Sequence, residues 1–377
     1  MSKTSISVDN PLKQLSHLGQ SVWLDYIRRS LMTSGDLKRL VDQDGLAGMT
    51  SNPAIFEKAL SSGEEYSDLL ASLRNGKNLD SKGIYEALAI RDIQDAADVL
   101  RPVYDATRTR DGYVSLEVAP TLAHDTAGSL AEARRLWAAV NRPNLMIKIP
   151  GTPEGLPAIE TLLAEGINVN ITLLFSQEVY EQVAKAYIRA LEKRAAAGQN
   201  IAHIASVASF FVSRIDTAVD AIIDQKLKTA NEEQKNVLES LLSKVAIANA
   251  KLAYQRYQRL FHGPAWDALA AKGAQTQRVL WASTSTKNPK LRDVLYVEEL
   301  IGRDTVNTIP PATHDAFRDH GEVRNSLTED VDGARVVMER LASAGISIEQ
   351  VTDDLTAQGV KLFEDAFTKL LAAINAQ

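Results

Sequence analysis

Two kinds of stretch alternate along the chain. Short apolar runs rich in β-branched residues recur at 21–24, 46–49, 113–118, 145–150, 167–175, 201–209, 277–282 and 305–309. Their length and turn-forming flanks predict buried strands. Between them lie longer stretches of helical period at 35–42, 54–72 (broken at Ser61-Ser62-Gly63), 80–109, 125–140, 154–165 and 176–195, with another from about 212. Residues 231–261, rich in Leu, Ala, Lys and Glu, predict one long amphipathic helix. Residues 11–20 read as a polar lead-in, and the chain from Ala312 as helical with breaks around Gly321, Gly345 and Gly359. Asp125 and Ser176 suit helix N-caps, Gly166 suits a helix end, and Asn288-Pro289 suits a cap followed by proline at the first helical position.

Strand and helix thus alternate about eight times, with no Pro/Gly/Ser linker to divide them. The pattern predicts an α/β fold, a single (β/α)8 TIM barrel over 1–377, with extra helices at the N-terminal side, after strand six and at the C-terminus. A doubly wound open sheet is the alternative, but no Gly-x-Gly-x-x-Gly loop follows the first strand.

Composition narrows the chemistry. There is no cysteine, and the six histidines are scattered without His-x-His or His-Glu-x-x-His. Thiolate chemistry is excluded, and nothing points to a metal. Forty-two basic against 48 acidic residues leave a net charge of −6, with no basic tract interleaved with aromatics, so nucleic acid is not an expected partner. Residues 1–7 lack the apolar core of a signal peptide, and no apolar run is long enough to span a membrane. The expectation is a cytoplasmic protein with no membrane partner.

The run Leu145-Met146-Ile147-Lys148-Ile149-Pro150-Gly151 places a lysine inside a strand covered on both faces. An ammonium there carries a desolvation cost, which favours the neutral amine. A neutral lysine at a pocket mouth attacks carbonyls to form a Schiff base. The alternative is a strand-end lysine that snorkels to water or pairs with a carboxylate. Asp25, Asn52, Glu117, Asn170, Thr172 and Ser209 also interrupt or end strands. Polar groups inside a barrel need partners, so this many suggests a mutually bonded ring at the carboxyl ends of the strands, where barrel sites lie. Each also has a structural reading: Asn52 as a helix cap, Thr172 as a β-former, Glu117 as an ion-pair partner. After strand seven a Ser/Thr-rich turn leads toward Asn288-Pro289, and phosphate sites in such barrels lie there at a helix amino end. Ser285, Lys287 and Arg214 are candidate phosphate contacts, against a plain turn with a solvated lysine.

Several segments resemble the transaldolase family, most closely its longer bacterial type from actinobacteria and cyanobacteria. They are Trp23-Leu24-Asp25, Thr50-Ser51-Asn52-Pro53, Ser115-Leu116-Glu117-Val118, Ile147-Lys148-Ile149-Pro150, Gly166-Ile167-Asn168-Val169-Asn170-Ile171-Thr172-Leu173-Leu174-Phe175-Ser176 and Ser209-Phe210-Phe211-Val212-Ser213-Arg214. Trp281-Ala282-Ser283-Thr284 and Asn307-Thr308-Ile309-Pro310 extend the match less specifically. The resemblance implies that Lys148 forms the Schiff base and Asp25 is the acid–base group at the C4 hydroxyl. Glu117 and Thr172 are implied to hold the catalytic water. Asn52, Asn170 and Ser209 would bind the dihydroxyacetone part, and Arg214 the phosphate. Lys287, beside Ser285, stands where the family has a second arginine, keeping a cation without the bidentate fork. Phe211 stands where related fructose 6-phosphate aldolases carry tyrosine, which favours transfer. The implied reaction moves dihydroxyacetone from sedoheptulose 7-phosphate to glyceraldehyde 3-phosphate, giving erythrose 4-phosphate and fructose 6-phosphate, with no cofactor, in a monomer or homodimer. A fructose 6-phosphate aldolase on the same barrel and a non-catalytic sugar-phosphate-binding barrel are the rivals.

Overall fold

A computed structural model of the chain describes residues 10–62, 64–76 and 79–376. Its centre is a closed barrel of eight strands in sequence order. They are β1 (Gln20–Asp25), β2 (Gly48–Thr50), β3 (Tyr113–Glu117), β4 (Leu145–Pro150), β5 (Val169–Leu174), β6 (Ser206–Phe211), β7 (Arg278–Ala282) and β8 (Thr305–Ile309). All neighbours pair in parallel, and β8 closes on β1. The (β/α)8 expectation therefore holds. Among the described residues, no helix is long and apolar enough to cross a membrane.

The register brings the polar strand positions together in layers. Asp25 pairs with Thr50, Glu117 with Lys148, Lys148 with Asn170, and Pro150 with Thr172. Paired residues share a face, so these side chains point into the barrel near its carboxyl end. The other end is plugged. Arg278 donates to Asp111 Oδ1 at 2.9 Å, Ser21 Oγ at 2.6 Å and the Arg110 carbonyl at 2.6 Å, and the Trp23 indole donates to Asp111 Oδ1 at 3.0 Å. This satisfies a buried charge pair, as a dry interior requires. Gly48 lies under the Trp23 ring, where a Cβ would fall 2.5 Å from indole carbons. Among the described residues these groups close the barrel at this end.

Several local expectations need correction. Residues 11–17 of the expected lead-in form the helix Pro11–His17, capped by Asn10, whose side chain accepts the Leu12 amide. Strand six is Ser206–Phe211, later than the expected 201–209. Its approach is held by Asn168 Oδ1, which accepts the Ala205 amide at 2.9 Å. The expected helix 231–261 is two helices, Glu232–Leu241 and Val245–Phe261. Between them Ser243 adopts φ +55, and Asp220 takes both its amide (2.9 Å) and its hydroxyl (2.7 Å). No helix starts at Asn288-Pro289. The Asn288 side chain accepts the Lys290 amide at 3.0 Å in a local turn, and the next helix is the four-residue Leu295–Glu298. Gly359 breaks nothing, because the last helix runs unbroken over Ile348–Ala376. A Cβ at Gly359 would lie 2.8 Å from Leu173 Cδ2, so the glycine serves close packing.

Candidate active site

A cavity of about 590 Å³ opens at the carboxyl ends of the strands. Nine of the eleven candidate residues line it: Asp25, Asn52, Lys148, Thr172, Ser209, Phe211, Arg214, Ser285 and Lys287. Glu117 and Asn170 flank Lys148 in the register without lining the cavity. The two are tied to the lining through Lys148 and Ser209.

Lys148 is 4% exposed. Its Nζ donates to the Ser51 carbonyl at 3.1 Å and lies 3.3 Å from Glu117 Oε2. The open alternatives at this position are thus resolved in part: the lysine does not snorkel, and it does face a carboxylate. Burial pushes the Glu117 carboxyl above its ordinary range, the Lys148 charge and hydrogen bond oppose this, and Asp25 adds to it. Apart from the Lys148 amine beside Glu117 Oε2, neither Glu117 oxygen has a polar partner among the described residues, nor has Thr172 Oγ1. Unpartnered buried oxygens are uncommon, and two of them here, Glu117 Oε1 and Thr172 Oγ1, mark a place built to bind something polar.

Asp25 is half-buried at the end of β1. Burial pushes its carboxyl up, while the Lys148 charge, the Thr50 hydroxyl and the Arg214 charge work the other way. Thr50 Oγ1 donates to Asp25 Oδ1 at 2.7 Å and lies 2.7 Å from Thr308 Oγ1. On the far side of Lys148, Ser209 Oγ donates to Asn170 Oδ1 at 2.6 Å, and Asn170 Nδ2 donates to Ser115 Oγ at 3.0 Å. These bonds lock the asparagine before any ligand arrives. Asn52 Oδ1 accepts the Ile55 amide at 3.0 Å, so it does cap the helix Pro53–Ser62 while lining the cavity.

The cations sit toward the mouth. Arg214 is half-buried, its guanidinium 5.4 Å from the centre of the Phe211 ring, with no carboxylate partner among the described residues. Burial lowers its pKa, with Asp25 opposing. Lys287 is exposed and donates to Ser285 Oγ at 2.7 Å. Ser283 and Thr284 hold the same turn in place: Ser283 Oγ, which also lines the cavity, meets Ser213 Oγ at 2.9 Å, and Thr284 donates to Asn307 at 2.9 Å.

The profile of the transaldolase/fructose-6-phosphate aldolase family matches residues 22–374, from within β1 to within the last helix. The chain belongs to that family. Similar curated proteins named transaldolase include one from Trichodesmium erythraeum, 50% identical over 372 residues, covering 98% of this chain and 97% of its own. One from Thiobacillus denitrificans is 50% identical over 366 residues, with 97% and 100% covered. One from Frankia alni is 48% identical over 371 residues, covering 98% of both chains. The cyanobacterial and actinobacterial likeness read from the motifs is thus present.

Sequence reasoning assigned no role to several residues that the transaldolase-family fold places at this site. Thr50 is hydrogen-bonded to Asp25 and meets the Thr308 hydroxyl, and each stands at or near the end of a strand, which was their signal. Ser115 orients Asn170 from inside β3 by the same two-residue alternation as Glu117. Lys58, Tyr26 and Phe363 also line the cavity. Phe363 carried no signal, since it lies far along the chain on the last helix.

Proposed function

We propose that the chain carries out the transaldolase reaction with Lys148 as its Schiff-base nucleophile. The observation that carries this reading is the buried Lys148 amine, 3.3 Å from Glu117, on a cavity that also presents Asp25. The neutral amine attacks the C2 carbonyl of the ketose. Glu117, whose carboxyl burial favours in its protonated form, exchanges the protons needed to make the carbinolamine and expel water. Thr172 Oγ1 and the Glu117 oxygens supply the hydrogen bonds to that water. The resulting iminium draws off the C3–C4 bond electrons, and Asp25 takes the C4 hydroxyl proton as the bond breaks. Erythrose 4-phosphate leaves sedoheptulose 7-phosphate. The three-carbon enamine stays on Lys148, held through Asn52, Asn170 and Ser209. Glyceraldehyde 3-phosphate enters, Asp25 returns the proton, and hydrolysis frees fructose 6-phosphate. Arg214 and Lys287, with Ser285, receive the phosphate by charge and hydroxyl contacts, and Arg214 stands in the first turn of the helix Ser213–Leu227. The whole chain, 1–377, acts as one catalytic domain on phosphorylated sugars of the cytoplasm, as a monomer or homodimer.

A coupled assay with fructose 6-phosphate as donor tests the reading. Turnover that requires erythrose 4-phosphate as acceptor is the expected result. Release of free dihydroxyacetone at the same rate without acceptor would make the chain an aldolase. No turnover with intact sugar binding would make it an inert barrel.

A further inference from the structure

The last helix, Ile348–Ala376, lies across the open end of the barrel and puts one aromatic ring on the lysine. Phe363 lines the cavity at only 6% exposure, and Lys148 Nζ lies 5.6 Å from the centre of its ring. The groups the barrel itself sets against the Lys148 nitrogen are polar, the Ser51 carbonyl at 3.1 Å and Glu117 Oε2 at 3.3 Å. Phe211, the other phenyl ring of the lining, is occupied by the Arg214 guanidinium. Phe363 is therefore the apolar face presented to the reacting nitrogen.

The ring is held from two sides. One helical turn earlier, Gly359 lets the helix settle against Leu173, the residue that follows Thr172 and takes φ +59 where the register of β5 and β6 shifts. One turn later, Phe367 packs edge-on against Tyr85 with centroids 5.6 Å apart, and Tyr85 packs edge-on against Phe56 at 5.6 Å. Residues 359, 363 and 367 share one face of the helix by their spacing of four. The helix that carries the ring is thus anchored one turn before it and one turn after it.

The enamine left after cleavage has two fates. Its nucleophilic carbon can form a C–C bond to the aldehyde carbon of an acceptor, whose oxygen takes the proton held by Asp25. Alternatively the same carbon takes a proton from water; the iminium then adds hydroxide and releases dihydroxyacetone and the free amine. We propose that Phe363 is the specificity-determining residue that suppresses the second fate. It does so by shielding the enamine carbon from water. This rests on the assignment of Lys148 as the Schiff-base lysine.

The test compares the unsubstituted protein with Phe363→Leu and Phe363→Ala, using fructose 6-phosphate as donor and erythrose 4-phosphate as acceptor. The readout is free dihydroxyacetone formed per sedoheptulose 7-phosphate formed. This ratio does not depend on the fraction of protein that folds. It should rise from Phe to Leu to Ala, by about tenfold in the last, a barrier difference of ~1.4 kcal/mol. A purely structural role for the ring would lower both products together, so an unchanged ratio in both variants overturns the proposal. Borohydride reduction run in parallel separates the two claims. A three-carbon mark on Lys148 in all three proteins is expected, and its absence from the unsubstituted protein overturns the lysine assignment and this proposal with it.

Discussion

Thr50→Val isolates the proton handling at Asp25. The Thr50 hydroxyl donates to Asp25 Oδ1 at 2.7 Å and accepts from Thr308 Oγ1 at 2.7 Å. Valine keeps the shape and removes both bonds. A hydrogen bond to a charged acceptor contributes ~1.5–3 kcal/mol, and here it favours the ionised carboxylate that burial disfavours. Asp25 must be ionised to take the C4 hydroxyl proton. Without Thr50 the ionised form becomes scarcer wherever the carboxyl is already part-protonated, so the loss concentrates on the acid limb of the profile. Since ~1.4 kcal/mol is a factor of ten, kcat/KM there should fall by about tenfold or more, and the alkaline plateau should fall much less. The assay is the coupled transfer reaction run across the pH range in which the protein is stable. An equal loss at every pH, or no loss at all, would refute the role given to this hydroxyl.

Lys287→Ala should raise KM for phosphorylated acceptors by about threefold, the size expected of an exposed ion pair, and change kcat less. An unchanged KM would put the phosphate elsewhere. Asp216 gives a pH-dependent stability. Burial pushes its carboxyl from 3.8 up to about 6, against the Ala246 amide and the Tyr296 hydroxyl. Because the folded state keeps this proton longer than the unfolded state, the stabilising effect is full below about pH 4. It is lost as the pH rises through about 6. Asp216→Asn should therefore gain on its parent by about 3 kcal/mol of unfolding free energy between those limits. Urea unfolding of both proteins along the pH range checks it, and a constant difference would contradict it.

The strands were legible because each is a short apolar run with a polar residue at or near its end, and that same feature marked Asp25, Glu117, Lys148 and Thr172. The mistakes fall where a distant side chain decides the backbone. The helix over 231–261 breaks because Asp220, on the preceding helix, captures Ser243. Helical period alone cannot register that contact. Strand six starts late because the apolar approach 201–205 is as hydrophobic as the strand itself, and only the Asn168 side chain separates them. Gly359 has the composition of a helix breaker, yet it is there to fit Leu173. Asn288-Pro289 carries a sound cap signal that closes a local turn instead. Phe363 was illegible for the same reason as Gly359: its position is set by how the last helix docks, which no local pattern encodes.

The whole account stands on a covalent bond between Lys148 and a ketose. The protein should be incubated with fructose 6-phosphate, reduced with borohydride, digested and weighed peptide by peptide. A reduced three-carbon unit on the peptide bearing Lys148, lost in Lys148→Met, is the predicted result. An unmodified Lys148 peptide in a protein that is still turning over substrate would contradict it.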